Sequence, residues 1–64
     1  MTFNEVLETR SYKEFCIIVA DRKEFNEPLK PKTINKYTSR LLMNYGTVNR
    51  KVIYKAIKHA LRTA

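Results

Sequence analysis

Apolar residues recur at helical spacing along most of the chain. Thr2 followed by Glu5 has the form of a capping box, and Phe3, Val6 and Leu7 then share one side of a short helix expected over about 3–9. Ser11 followed by Glu14 repeats that signature and opens a second helix over 11–24. Within it Tyr12, Phe15, Cys16, Val19 and Ala20 form a stripe that Ile18 widens. The run FCIIVA holds three successive β-branched residues and would also suit a short buried strand. The cap before it and the charged flanks YKE and DRKE favour helix.

NEPLKPK, 26–32, breaks the pattern. Pro28 and Pro31 each remove a backbone donor and restrict the residue before them, so a stiff connection is expected here, with Leu29 turned into the core. Thr33 then stands where it would cap a third helix over 33–45. Ile34, Tyr37, Thr38, Leu41, Leu42 and Tyr45 fall at i, i+3, i+4, i+7, i+8 and i+11, an apolar stripe three turns long. Gly46, the only glycine, is expected to end that helix in the left-handed αL conformation. A fourth helix over 49–62 would turn Val52, Ile53, Ala56, Ile57, Ala60 and Leu61 inward. The elements add up to an all-α protein, a small bundle of three to four short helices in one domain, with no internal repeat.

Sixty-four residues leave room for only a small core. The single cysteine, Cys16, excludes an intrachain disulfide framework and a thiolate zinc site of the usual spacing. No segment approaches the roughly 18 apolar residues of a membrane span, and the N-terminus lacks a basic-then-apolar signal pattern. A cytoplasmic protein with no membrane attachment is expected.

Charge changes the picture. The chain has 13 basic and 6 acidic side chains, a net charge of +7. Residues 1–32 carry six of each sign, whereas residues 33–64 carry Lys36, Arg40, Arg50, Lys51, Lys55, Lys58 and Arg62 and no acid. On the fourth helix Lys51, Lys55, Lys58 and Arg62 make one stripe opposite the apolar side, with Arg50 and Tyr54 on its flank. Like charges four residues apart repel, and a solvated helix face normally intersperses glutamate. Uncompensated repulsion over so many residues points to an anionic partner, phosphate above all.

Catalytic chemistry finds little support. His59 is the only histidine, Cys16 sits in the most apolar run, and the six carboxylates show no paired spacing. A phosphate-cradling loop cannot be built from one glycine. The chain is therefore read as a non-enzyme, with no metal, cofactor or small-molecule ligand implied.

The stretch LLMNYGTVNRKVIYKAIKHAL resembles the helix-turn-helix of bacterial transcription regulators, the GntR-like class in particular. Val48 matches the aliphatic turn residue, Asn49 the polar cap, Ile53 the first inward residue, and Ala56 with Ile57 the closing pair. Gly46 falls one place early, with Thr47 at the family's usual glycine, and Met43 stands where a small residue is usual. No residues follow for a β-wing, so a wingless domain is expected. The resemblance implies double-stranded DNA as partner. Asn49, Arg50, Lys51 and Tyr54 would then be base-contact candidates, and Lys36, Arg40, Lys55, Lys58 and Arg62 phosphate contacts.

The function expected is that of a small transcriptional regulator or accessory factor, of the kind found in phages and mobile elements. A homodimer or a protein partner would supply specificity, with Phe3, Val6, Leu7 and Tyr12 of the neutral half either as the surface for self-association or as part of the core. Two other classes share the electrostatics. One is an inhibitor or adaptor that lays its basic helix on an acidic protein, and the other an RNA- or ribosome-associated protein, for which Tyr54 would be nearly the only exposed stacking residue.

Overall fold

The computed structural model describes residues 1–63, and within them the chain is an all-α bundle of four helices. They are α1 (Phe3–Leu7), α2 (Arg10–Glu24), α3 (Pro31–Tyr45) and α4 (Arg50–Thr63), with one 3₁₀ turn, Thr47–Asn49, between the last two. FCIIVA is helical throughout. The helix α4 packs on each of the other three, and α3 also packs on α2.

The first capping box forms as its spacing predicts. Glu5 N–H donates to Thr2 Oγ1 at 3.2 Å, and Thr2 N–H donates to Glu5 Oε1 at 2.8 Å. The second does not. Thr9 rather than Ser11 caps α2, and α1 stops at Leu7, two residues earlier than expected. The buried Thr9 hydroxyl serves both helices at once: it donates to the Val6 carbonyl at 2.7 Å and accepts from the Tyr12 amide at 3.3 Å. A hydroxyl that satisfies the end of one helix and the start of the next outcompetes Ser11, which lies within the first turn of α2.

The third helix also starts two residues early. Pro31 occupies its first position, where a missing N–H costs nothing, and Lys30 caps it without a side-chain bond. Thr33 is inside the helix, its amide bonded to the Lys30 carbonyl at 3.0 Å. Gly46 ends α3 with φ 85° and ψ 149°, which is not the αL pair but an extended conformation of positive φ. Its N–H still reaches the Leu42 carbonyl at 2.8 Å.

The core joins all four helices. Val6, Tyr12, Phe15, Val19, Tyr37, Leu41, Ile53, Ala56, Ile57 and Ala60 are buried, with Phe15, Leu41, Ile53 and Val6 fully enclosed. Phe3, Leu7, Cys16, Leu29, Ile34, Leu42, Tyr45 and Val52 pack on this cluster from its edge. Phe3, Val6, Leu7 and Tyr12 are thus spent on the core and do not offer a surface for self-association. Two residues expected inward are outward: Ala20, because the last turns of α2 project past the core, and Leu61, at the end of α4.

Candidate nucleic-acid interface

The helix α4 owes its placement to Ile53, Ala56, Ile57 and Ala60, which recur every three to four residues and are all buried. The two alanines let neighbouring helices approach closely, while Ile53 and Ile57 fill the space between them. With that side fixed inward, Lys51, Lys55, Lys58 and Arg62 are directed outward, and all four are exposed together with Arg50 and Tyr54. The stripe therefore exists as its spacing predicts.

Among the described residues none of these five cations has a carboxylate partner. The salt bridges among the described residues join Arg10 and Arg40 to Glu14, Lys13 to Glu8, and Arg22 to Glu27. Every acid in them belongs to the first half of the chain, and of the second half only Arg40 is reached, by Glu14. The helix α4 is left as an uncompensated column of positive charge, its four outer cations spanning roughly 16 Å at the ordinary helical rise.

Two groups that sequence reasoning left outside the site join it. Phe3 of α1 lies under the column: Lys55 Nζ is 5.3 Å from its ring centre, and His59 meets the same ring edge-on at 5.4 Å. Phe3, Lys55, Lys58, His59 and Arg62 line a cleft of about 150 Å³ on this flank. The pattern of α1 marks Phe3 as inward-facing, but only the packing of α1 on α4 reveals which cations it supports. On the opposite flank Ile34, Asn35 and Thr38 of α3 and Tyr54, Ile57, Lys58 and Leu61 of α4 form a groove of about 370 Å³.

Other expected members fall elsewhere. Arg40 stacks on Tyr37 with its guanidinium 4.9 Å from the ring centre, and pairs with Glu14 of α2 at 3.5 Å. Lys36, one turn before it, shares that flank of α3. The flank turned to α4 carries the neutral Asn35 and Thr38 instead. Lys36 and Arg40 are therefore not gathered with the α4 stripe, and the charge of Arg40 is already answered within the chain.

Asn49 is committed to the turn. Its Nδ2 donates to the Tyr45 carbonyl and its Oδ1 accepts from the Met1 amino group at 3.1 Å. The amide thus ties the 3₁₀ turn to the end of α3 and to the chain start, which leaves it one N–H and one oxygen lone pair. Val48, matched above to an aliphatic turn residue, is 91 % exposed. The turn is closed by a polar amide rather than by an apolar plug. Of the base-contact candidates, Arg50, Lys51 and Tyr54 stand free at the start of α4.

Among the described residues no helix is long and apolar enough to cross a membrane, and no three His, Cys, Asp or Glu side chains come together as a metal site. Comparison with protein-family models, with curated proteins and with solved structures returns no match for this chain.

Proposed function

We propose that the chain binds double-stranded DNA through the outer face of α4, as a small transcriptional regulator or accessory factor. One observation carries this reading: Lys51, Lys55, Lys58 and Arg62 are aligned outward, opposite the core, and among the described residues no carboxylate is paired to any of them. Phosphates supply the missing negative charge, and the release of their counterions drives association. Entry of α4 into the major groove would bring its first turns to the base edges. Arg50, Lys51 and Tyr54 are the readers in this scheme, while Lys55, Lys58 and Arg62 hold the backbone. Asn49 fixes the turn that sets the angle of α4.

Selection from random-sequence duplexes at moderate salt tests the proposal. Wild type is expected to enrich a short site. Lys58→Ala should weaken binding to enriched and unenriched duplexes alike, whereas Lys51→Ala should also relax the preference, by roughly 1–3 kcal/mol at one position. No enrichment, together with unchanged duplex affinity in both variants, sinks the reading.

The groove beside the stripe supports a second reading. Ile34, Ile57, Leu61 and Tyr54 give it an apolar floor next to Lys58, which suits an acidic amphipathic segment of a protein partner. Leu61→Gln, which adds no charge to the stripe, separates the two: it should weaken docking in the groove at least tenfold and leave binding to duplex DNA within about threefold.

A further inference from the structure

The side of α2 turned away from the core has a charge order of its own. Arg10, Lys13, Ile17, Ala20, Asp21 and Glu24 are all exposed there. Counted from Ile17, they lie at −7, −4, 0, +3, +4 and +7, a single stripe along the helix. Two bases precede Ile17 and two acids follow it at matching distances, so the stripe reverses sign about its centre. Ile17 itself is 62 % exposed, an apolar β-branched side chain in the middle of a solvated face.

The stability of α2 alone does not account for this order. Bases at a helix start and acids toward its end oppose the helix dipole, and α2 has no acid in its first turn. The bases of its last turn, Arg22 and Lys23, lie off the stripe, and Arg22 is engaged with Glu27 at 2.7 Å. Arg10 and Lys13 do pair within the chain, with Glu14 at 3.3 Å and Glu8 at 3.6 Å, but these are exposed ion pairs of small net value. Asp21 and Glu24 have no ion pair among the described residues.

We infer that this face of α2 is a self-association surface, pairing antiparallel with α2 of a second copy about a two-fold axis at Ile17. In that register Ile17 meets Ile17, Lys13 meets Asp21, and Arg10 meets Glu24, each ion pair occurring twice by symmetry. The antiparallel arrangement also sets the two helix dipoles against each other favourably. Encounter through α4 is repelled by its cations, which leaves the charge-balanced half of the chain as the surface where two copies can meet. The outer faces of α2 and α4 both point away from their common core, so the pair leaves both α4 stripes uncovered. The contact is short, roughly 21 Å of helix, and belongs to the weak class of interfaces.

Charge exchange tests the inference, in the absence of nucleic acid, so its outcome is independent of what α4 binds. One double variant carries Arg10→Glu and Lys13→Glu, the other Asp21→Lys and Glu24→Lys. All four sites are exposed and each exchange agrees with the helix dipole, so helicity should be kept, as circular dichroism will report. By sedimentation equilibrium up to about 1 mM, wild type should show a growing dimer fraction and each double variant at least tenfold weaker association. Their equimolar mixture, in which every facing pair is again opposite in sign, should recover association to within about threefold of wild type. The inference is overturned if wild type stays monomeric throughout, which would leave the face to a different partner. It is equally overturned if either double variant associates as wild type does, or if the mixture stays monomeric while wild type dimerises.

Discussion

Lys55 Nζ stands 5.3 Å above the ring centre of Phe3, so the first residue of α1 supports a cation in the middle of the α4 stripe. The short helix α1 is thereby part of the site's foundation and not only of the core. The ring also meets His59, one turn further along α4. Replacement of Phe3 by Leu keeps apolar packing but removes both aromatic contacts, and should cost about 0.5–1 kcal/mol of stability. Phe3→Ala removes the packing as well and should cost about 2 kcal/mol, less than a fully enclosed Phe because this one is half-buried. Urea denaturation of the two variants measures both values. A Phe3→Leu variant as stable as wild type would mean that the ring acts only as bulk.

Substitution of Gly46 tests the connection between α3 and α4. A Cβ there would meet only Val48 Cγ1 at 3.8 Å, an ordinary contact, so space does not demand glycine. The backbone does: φ 85° with ψ 149° lies in a region that side chains with a Cβ avoid. Gly46→Ala should therefore destabilise the protein by about 1–3 kcal/mol. An unchanged denaturation midpoint would show that the turn relaxes freely into another conformation.

The stripes of α3 and α4 were legible because burial imposes its period on the sequence. Ile53, Ala56 and Ile57 could only be inward, and that fixes Lys51, Lys55, Lys58 and Arg62 outward. What stayed hidden depended on competition between partners of the same kind. Thr9 and Ser11 offer the same hydroxyl, and the choice fell to Thr9 because only its hydroxyl lies where Val6 needs a donor and Tyr12 an acceptor. Asn49 reads equally as a cap or a base reader, yet its amide is drawn to the Tyr45 carbonyl left open at the end of α3. Arg40 shares its acid-free half with the α4 cations, but α2 brings Glu14 beside it, a long-range pairing that composition does not reveal.

Two groups give stability opposite pH dependences at the two ends of the scale. The Glu5 carboxylate is held below its usual range, first by the Thr2 amide and then by the Thr2 hydroxyl. A lowered folded pKa means stability that is present above the unfolded value of about 4.3 and lost as pH falls through the folded one. Glu5→Gln retains a capping acceptor without the charge, so its deficit against wild type should shrink as pH falls and vanish once the folded carboxylate is protonated. The Tyr12 phenol is shifted upward, by burial first and by its hydrogen bond with Cys16 second. Its contribution is full below the unfolded phenol value of about 10 and is lost as pH rises from there through the raised folded value. Thermal melts should show Tyr12→Phe with a shallower alkaline loss than wild type. A parallel loss in both would assign that limb to other groups.

Arg40 and Lys58 provide the sharpest comparison for the α4 reading, since composition treats them alike and the fold does not. Lys58 lies on the stripe with no ion pair among the described residues, whereas Arg40 is stacked on Tyr37 and paired with Glu14. Duplex affinity governed by the stripe should fall with salt at a logarithmic slope of roughly −3, about −0.9 for each phosphate that Lys55, Lys58 and Arg62 neutralise. Lys58→Ala should make that slope shallower by about one, because one counterion fewer is released. Arg40→Ala should leave the slope unchanged. It would instead lower stability modestly, by about 0.5–1 kcal/mol, through loss of the stacking on Tyr37. Fluorescence anisotropy titrations at four or five salt concentrations give all three slopes in one series. If Arg40→Ala and Lys58→Ala change the slope equally, the duplex is held by the general charge of the second half and not by the ordered face of α4.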